Sequence, residues 1–248
     1  MPKIKETFQT VDILCEEKLR IIQSRNSYRF SVDSFLLANF VILKRNERLL
    51  DIGTGCGIIP IYLSKRGYKN SMLGVEIQKE LFGLASKNRI LNHVENQIDF
   101  HRGDITKLVS TLKKTPFSVV VSNPPYTKKG SGRTSTGHSR FVARYESKLN
   151  LPGLLSAASA LLNKKGRFYV IYPARRLGEL INTAKLNKLE LKRLRMVHPR
   201  KDEEANLFLA EFIKEGGIGV TIDKPLCIYE NSHMTEEVKK YYIFEDQL

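Results

Sequence analysis

The chain has 248 residues, 42% of them apolar, so it is long enough to bury a core without disulfides or metal ions, and a disordered chain is excluded. Lysine and arginine number 41 against 26 acids, and the net charge of +15 indicates a polyanionic partner such as nucleic acid. The longest apolar stretch, residues 35–43, is too short to span a membrane, which takes about 20 residues.

The cysteines and the N-terminus indicate the compartment. Three cysteines are odd in number and far apart, which is typical of a reducing environment rather than of a disulfide framework. The first twenty residues lack the apolar core of a secretory signal, so we expect a cytoplasmic protein. The five histidines have no zinc-like spacing with cysteine, so we expect no metal site.

Charge divides the chain into parts. Residues 215–248 hold seven acids and three bases, which leaves a net charge of +19 on the rest of the chain. We therefore expect an N-terminal lead-in over residues 1–45, a main domain over 46–214 and an acidic extension over 215–248. Within the lead-in, a helix capped by Ser31 or Asp33 is expected to run to Leu43.

Short apolar runs alternate with helical patterns through the main domain. Apolar strands separated by helices of about 10–15 residues indicate an α/β fold with a mostly parallel sheet covered on both faces. Ligands of such sheets bind beyond the carboxyl ends of the strands. The pattern predicts strands at 48–52, 71–76, 98–101, 117–122, 167–172, 189–197 and 207–213, and helices at 58–65, 78–92, 151–163 and 175–186.

A glycine-rich motif follows the first of these strands, and it reads Asp51-Ile52-Gly53-Thr54-Gly55-Cys56-Gly57. Glycines at a strand end allow a tight turn and a close approach of the backbone to a ligand. The carboxylate of Asp51 before the turn suits an amine-bearing ligand. A Lys-Ser/Thr pair does not follow, so a P-loop is excluded. The spacing also differs from the Gly-x-Gly-x-x-Gly of nicotinamide-dependent enzymes, which stay an alternative.

Two further acids stand at strand ends. Glu76 ends the second strand, 25 residues after Asp51, where an acid can hold ribose hydroxyls. Asp104 follows the third strand in the pair Gly103-Asp104. An acid there can reach an adenine amino group, although Asp is also the usual residue for capping a loop.

The most informative motif is Ser122-Asn123-Pro124-Pro125-Tyr126, at the end of a strand with three consecutive valines. Two adjacent prolines remove two N–H donors, so the carbonyls here are free to point into a pocket. The Asn123 amide oxygen and the Pro124 carbonyl provide two acceptors, and Tyr126 provides a flat ring beside them. This set fits a planar group that carries an NH2. We therefore predict that Asn123, Pro124, Pro125 and Tyr126 form the catalytic motif.

The motifs, in this order, resemble those of class I S-adenosylmethionine-dependent methyltransferases that methylate planar nitrogen. Residues 28–38 resemble the segment before the first strand in bacterial tRNA1(Val) adenine-37 N6-methyltransferases, and the resemblance covers about residues 5–213. It implies a Rossmann-like fold with a seven-stranded sheet and S-adenosylmethionine as cofactor, with S-adenosylhomocysteine as product. It also implies methylation of N6 of an unpaired adenine in tRNA, at position 37 of the anticodon loop.

The resemblance implies a role for each motif. Asp51 and its glycine loop line the methionine end of the cofactor, Glu76 binds both ribose hydroxyls, and Asp104 contacts adenine. Asn123 lies between cofactor and target, and the segment around Phe30 and Asp33 closes over the site. The implied cofactor-binding residues are Phe30, Asp33, Asp51, Gly53, Thr54, Gly55, Cys56, Gly57, Glu76, Ile77, Asp104, Ile105 and Asn123.

Basic residues supply the expected RNA contacts, because a cluster of them beside a base-binding motif is best explained by phosphate binding. One group follows the catalytic motif directly, and a second lies in residues 175–201 and includes Lys192, Arg193 and Arg195. The residues predicted to bind RNA are Lys128, Lys129, Arg133, Arg140, Arg144, Arg175 and Arg176.

Three alternatives stay open. Release-factor glutamine N5-methyltransferases share the Asn-Pro-Pro-Tyr loop, because a side-chain amide is also a planar NH2, but they usually have a longer helical N-terminal domain. Guanine-N2 rRNA methyltransferases are closer, and they often carry Phe at the fourth position and a duplicated domain. The third alternative is an RNA-binding scaffold without activity, against which the intact motifs speak.

Overall fold

The structure is a computed structural model, and it describes residues 9–24, 31–125 and 150–244. The elements begin with a hairpin and a helix, continue with alternating strands and helices, and end with short strands and one helical turn. In chain order they are β1 (Gln9–Leu14), β2 (Leu19–Ser24), α1 (Val32–Phe40), β3 (Leu49–Ile52), α2 (Ile58–Lys65), β4 (Met72–Glu76), α3 (Lys79–Leu91), β5 (Ile98–Arg102), α4 (Ile105–Leu112), β6 (Phe117–Ser122), α5 (Leu151–Leu161), β7 (Leu162–Pro173), a 3-10 turn (Ala174–Arg176), α6 (Leu177–Leu186), β8 (Leu189–His198), β9 (Leu207–Lys214), β10 (Thr221–Ile222), β11 (Leu226–Cys227), β12 (Tyr229–Glu230), β13 (His233–Met234) and α7 (Glu236–Lys240).

The central sheet confirms the predicted α/β, Rossmann-like fold. Its seven long strands lie in the order β8-β9-β7-β6-β3-β4-β5. The strands from β3 to β7 pair in parallel, whereas β9 runs antiparallel to both β7 and β8. Two strands that the sequence did not predict, β10 and β11, add two residues each alongside β8.

Strand order brings the predicted motifs to one edge of the sheet. β3 lies between β4 and β6, and Asp51 is in register with Gly74 on one side and Val121 on the other. The strands β4 and β5 are added on one side of β3, whereas β6 and β7 are added on its other side, so this is a topological switch point, where parallel sheets bind ligands. The hydroxyl of Ser122 donates to the carbonyl of Ile52 at 2.8 Å and so ties the end of β6 to the end of β3.

Both faces of the sheet are covered by apolar side chains. On one face, α4, α5 and α6 pack on the strands through residues such as Leu154 and Phe168, which are fully buried. On the other, α1 and α2 pack together with the N-terminal hairpin and residues 226–244, including Leu226 and Phe244. The acidic extension therefore shares a hydrophobic core with the main domain. None of the helices within the described ranges is long and apolar enough to cross a membrane.

Two asparagines on α3 attach the hairpin to the body. The amide of Asn88 accepts from Ile22 N at 2.7 Å and donates to Ile22 O at 3.1 Å, and Asn92 makes the same pair of bonds to Arg20 at 3.1 and 2.7 Å. Four residues of helix advance about 6.0 Å and two residues of strand about 6.8 Å, so the two spacings nearly match. These side chains thus satisfy the backbone of β2 as a neighbouring strand would.

The acidic extension is held by cations of β8. Arg193 pairs with Asp223 at 2.7 Å, Arg195 pairs with Glu237 at 2.7 Å, and the Lys192 ammonium donates to the carbonyl of Gly219 at 2.6 Å. These three cations therefore contact the acidic extension, and a contact of any of them with phosphate stays a prediction. In the extension, Arg193 and Arg195 are each paired with a carboxylate, and Lys192 donates to a backbone carbonyl.

Candidate active site

The glycine turn after β3 has the backbone geometry that only glycine adopts without strain. Gly53, Gly55 and Gly57 have φ of 74°, 61° and 85°, in the left-handed region. A Cβ at Gly53 or Gly55 would meet nothing within 4 Å, whereas one at Gly57 would lie 2.6 Å from the ring of Phe100. The turn is therefore open on the side of its first two glycines and packed against β5 at the third.

Asp51 is a buried carboxylate with one oxygen left over. It is 1% exposed, and its Oδ2 accepts from the Thr54 hydroxyl at 2.6 Å. Its Oδ1 is buried and has no hydrogen-bond partner among the described residues. Burial raises the pKa of Asp51 to about 7, the Thr54 hydrogen bond opposes this shift, and the nearby Glu76 adds to it. A cationic amine at Oδ1 would satisfy both the oxygen and the charge.

Glu76 is fixed by backbone amides at the end of β4. Its two oxygens accept from Gly55 N at 3.0 Å and Gln78 N at 2.9 Å, and the side chain is buried. The carboxylate thereby connects the glycine turn with the end of the next strand. Ile77, which follows it, is half-buried at the same edge.

Cys56 has a structural place in the turn. Its side chain is buried, and burial raises the pKa of the thiol to about 12, so it stays protonated and is a weak nucleophile. Its carbonyl accepts from Asn88 Nδ2 at 3.0 Å. Asn88 therefore links the glycine turn to the N-terminal hairpin. The sequence predicts the helix over residues 78–92 that carries this asparagine but assigns the residue no role.

Asp104 caps α4, a helix that the sequence did not predict. Its Oδ1 accepts from the Thr106 amide at 3.0 Å and from the Thr106 hydroxyl at 2.7 Å. Ile105 is buried behind it. The cap explains why the chain carries Asp here, and a contact to adenine stays a prediction.

The end of β6 presents an acceptor without a donor. Asn123 donates from Nδ2 to the Ser34 hydroxyl at 3.1 Å, while its Oδ1 is buried and accepts no hydrogen bond from the described residues. Pro124 is buried and Pro125 half-buried, and neither has an N–H to offer. A buried acceptor without a partner costs about 1–3 kcal/mol, so this oxygen calls for a donor from beyond the described residues, such as a bound ligand.

The remaining predicted residues divide into two groups. Asp33 is buried near the start of α1, next to Ser34. Arg175 and Arg176 lie in the 3-10 turn after β7, at the same edge as Asn123; Arg175 is exposed, and Arg176 pairs with Glu179 at 2.7 Å. The predictions that lie outside the described residues are Phe30, Tyr126, Lys128, Lys129, Arg133, Arg140 and Arg144.

Comparisons with known proteins agree with this fold. Relatives named tRNA1(Val) (adenine(37)-N6)-methyltransferase include one from a Flavobacteriaceae bacterium, 25% identical over 226 residues, which are 91% of this chain and 91% of that one. Another, from Porphyromonas gingivalis, is 33% identical over 168 residues, which are 67% of this chain and 65% of that one.

Solved structures share the fold. A predicted O-methyltransferase from Agrobacterium tumefaciens superposes with a TM-score of 0.68 at 22% identity and covers 85% of this chain and 95% of that one. NSun6 from Pyrococcus horikoshii superposes with a TM-score of 0.59 at 14% identity, covering 77% of this chain and 53% of that one.

The family model for the methyltransferase small domain matches residues 29–176, more than half of the chain. The chain therefore belongs to the methyltransferase small domain family.

Proposed function

We propose that the protein transfers a methyl group from S-adenosylmethionine to N6 of an unpaired adenine in tRNA, at position 37 of the anticodon loop of tRNA1(Val). The observation that carries the proposal is the buried Oδ1 of Asn123, which accepts no hydrogen bond from any described residue and lies at the switch point of the sheet, next to the strand of Asp51. An exocyclic amine is the donor that this oxygen lacks. The relatives named for this reaction support the same assignment.

The residues at the switch point fit the cofactor. The Oδ1 of Asp51, which has no hydrogen-bond partner in the part of the chain that the structure describes, would accept from an ammonium group, and the open side of Gly53 and Gly55 leaves room for the methionine part of the cofactor. Glu76, at the end of β4, would hold the ribose hydroxyls, and Asp104 would lie near adenine. When bound, the cofactor supplies a methyl group on a sulfonium, which is already activated for displacement.

Asn123 would prepare the amine. The N6 lone pair of adenine is delocalised into the ring, which makes the amine a poor nucleophile. A hydrogen bond from N6–H to Asn123 Oδ1, and a second to the Pro124 carbonyl, would localise that lone pair and direct it at the methyl group. Catalysis then depends on alignment and on fixed dipoles, and no strong base is needed because the proton leaves to water after transfer.

The tRNA would approach along the edge that carries the motif. The base must be unpaired and turned outward, and a stacked aromatic ring is worth about 1–3 kcal/mol, a role we propose for Tyr126. Among the described residues, Arg175 and Arg176 in the 3-10 turn after β7 are the predicted RNA-binding cations, and both would contact phosphates there. A tRNA substrate would place the protein in the cytoplasm. In this proposal, residues 46–214 bind cofactor and base, while residues 1–45 and 215–248 support them.

The proposal is tested by offering several acceptors in parallel. Labelled S-adenosylmethionine is incubated with the protein and unmodified tRNA, ribosomal RNA or release factor, and the labelled product is hydrolysed and identified. We expect N6-methyladenosine in tRNA. Label in N2-methylguanosine of ribosomal RNA, or in glutamine of the release factor, would contradict the proposal and identify the acceptor instead.

The role of Asn123 is tested with Asn123→Ala. We expect methyl transfer to fall at least a hundredfold while the affinity for the cofactor, measured by calorimetry, changes by less than about threefold, because the side chain is placed to face the amine. A large loss of cofactor affinity with normal turnover at saturation would overturn this assignment.

A further inference from the structure

The direction of the Asn123 amide needs an explanation. An amide has an acceptor end and a donor end of nearly the same shape, and only the acceptor end can receive a hydrogen from an amine. In the structure the donor end faces Ser34 of α1, 89 residues away along the chain, and the acceptor end is left over. We propose that Ser34 is a positioning residue: its hydroxyl holds the Asn123 side chain through Nδ2, so that Oδ1 faces the target amine. This inference rests on the proposed function.

The reversed amide would disable the site. Oδ1 would then accept from the Ser34 hydroxyl, and the two N–H groups of Asn123 would face the amine. Two donors would meet the N–H groups of the target, and no acceptor of this side chain would be available. The orientation of the amide therefore decides whether the site binds an amine at all. The Ser34 hydroxyl can donate or accept, so it holds the side chain in place in either orientation, and the target amine, which requires an acceptor, selects the orientation in which Nδ2 faces Ser34.

Ser34 is suited to this task because it belongs to a rigid part of the fold. It is 4% exposed and lies in the first turn of α1, and its one side-chain hydrogen bond within the described residues is the one to Asn123. The next residue, Phe35, packs against Tyr62 at 5.0 Å and against Tyr242 of the acidic extension at 4.6 Å between ring centroids. A partner fixed by packing on both sides can hold a catalytic group in one geometry.

The same helix is also fastened by hydrogen bonds. Asn39, near the end of α1, donates to the Tyr62 hydroxyl at 2.8 Å, and this hydroxyl donates to the carbonyl of Tyr241 at 2.7 Å. The acidic extension thus holds α1 against α2. We therefore expect the acidic extension to support the site through α1 and Ser34, although the extension is distant from the site in the sequence.

The kinetic test compares Ser34→Ala with Ser34→Thr and with the matched control Ser64→Ala. Ser64 is also buried, and its hydroxyl bonds to Gln97 at 2.6 Å, away from the glycine turn and the end of β6. We expect Ser34→Ala to lower kcat at least tenfold with less than a twofold change in cofactor affinity. Ser34→Thr should recover kcat to within about threefold of wild type, and Ser64→Ala should keep it within twofold.

Three kinetic results would overturn the inference. They are a kcat for Ser34→Ala within twofold of wild type, a fall in kcat matched by an equal loss of cofactor affinity, and a similar fall in Ser64→Ala. Melting temperatures of the variants show whether any of them has lost its fold. If the threonine side chain is too large for the site and Ser34→Thr unfolds, the comparison of Ser34→Ala with Ser64→Ala still tests the role of Ser34.

A second measurement does not depend on the acceptor. The side-chain NH2 signals of Asn123 are assigned in 15N-labelled protein by their absence in Asn123→Asp. We expect one of the two protons to show a nuclear Overhauser effect to the β protons of Ser34, and the pair to shift in Ser34→Ala. Absence of that contact would refute the role of Ser34. A wild-type protein that labels no tRNA would refute the proposed function instead, and the amide signals would still report whether Ser34 holds Asn123.

Discussion

Asn88 connects two parts of the fold, so its removal should have two separable effects. The side chain is fully buried and bonds to Ile22 N, Ile22 O and Cys56 O at 2.7, 3.1 and 3.0 Å. Asn88→Ala removes the partner of these three backbone groups, of which Cys56 O is buried and the two of Ile22 are partly buried. A buried group without a partner costs about 1–3 kcal/mol and a partly buried one less, because water reaches it, so we expect the free energy of unfolding to fall by about 3 kcal/mol. Because Cys56 lies in the glycine turn, we also expect about tenfold weaker cofactor binding.

Asn92→Ala is the matched control. Asn92 is 4% exposed and makes the same two bonds to Arg20, but it does not touch the glycine turn. Urea denaturation should show a loss of stability in both variants, and calorimetry should show weaker binding of S-adenosylmethionine in Asn88→Ala alone. Equal losses of cofactor affinity in both variants would refute a specific link from Asn88 to the turn, since they would be explained by the loss of the hairpin.

Three further predictions concern charge, the extension and the RNA. Burial raises the pKa of Asp51 to about 7, so between about pH 4 and pH 7 the folded protein keeps a proton that the unfolded chain has released. The free energy of unfolding should therefore fall as the pH rises through this window. In urea titrations, Asp51→Asn should remove the part of this fall that is due to Asp51. Tyr62→Phe removes the hydroxyl that bonds to Asn39 and Tyr241, and we expect a loss of about 1–3 kcal/mol in the free energy of unfolding; an unchanged denaturation midpoint would contradict this link. Replacing Lys128 and Lys129 by Glu should weaken tRNA binding and reduce the slope of affinity against salt, and an unchanged slope would remove both lysines from the interface.

The sheet could be predicted from the sequence because its strands are buried on both faces. Val119, Val120 and Val121 are all fully buried, so β6 appears as a continuous apolar run and its bounds were predicted correctly. The same holds for the helix α2, whose predicted bounds match those observed. The helix α1 ends at Phe40 rather than at the expected Leu43, although the apolar pattern continues to that residue.

The hairpin and the short elements could not be predicted in this way. β1 packs weakly on the body, since Val11 and Ile13 are each 55% exposed. The apolar residues of this strand therefore do not mark a buried face of the sheet. Its turn uses Cys15, Glu16 and Glu17 at φ of 52°, 53° and 66°, without the glycine or asparagine that usually marks a tight turn. The helix α4 was not predicted, although Ile105, Leu108, Val109 and Leu112 have the spacing of one helix face.

The parts of the candidate site that could be predicted are those in which one short motif at a strand end contains all the residues concerned. The glycine turn and Asn123 each stand in a short motif whose residue types already limit the chemistry. Ser34 and Asn88 were not assigned, because their partners are 89 and 32 residues away in the chain and only the packing of α1 and α3 brings them together. The one available signal was a polar side chain, Asn88, on an otherwise apolar helix face.

The central claim is that the buried acceptor of Asn123 receives the amine of an anticodon-loop adenine. The most direct measurement is methyl transfer into two unmodified transcripts of tRNA1(Val), one with adenine at position 37 and one with guanine there, followed by nucleoside analysis. We expect N6-methyladenosine in the first transcript and no label in the second. Equal labelling of both transcripts, or label in a nucleoside other than N6-methyladenosine, would contradict it.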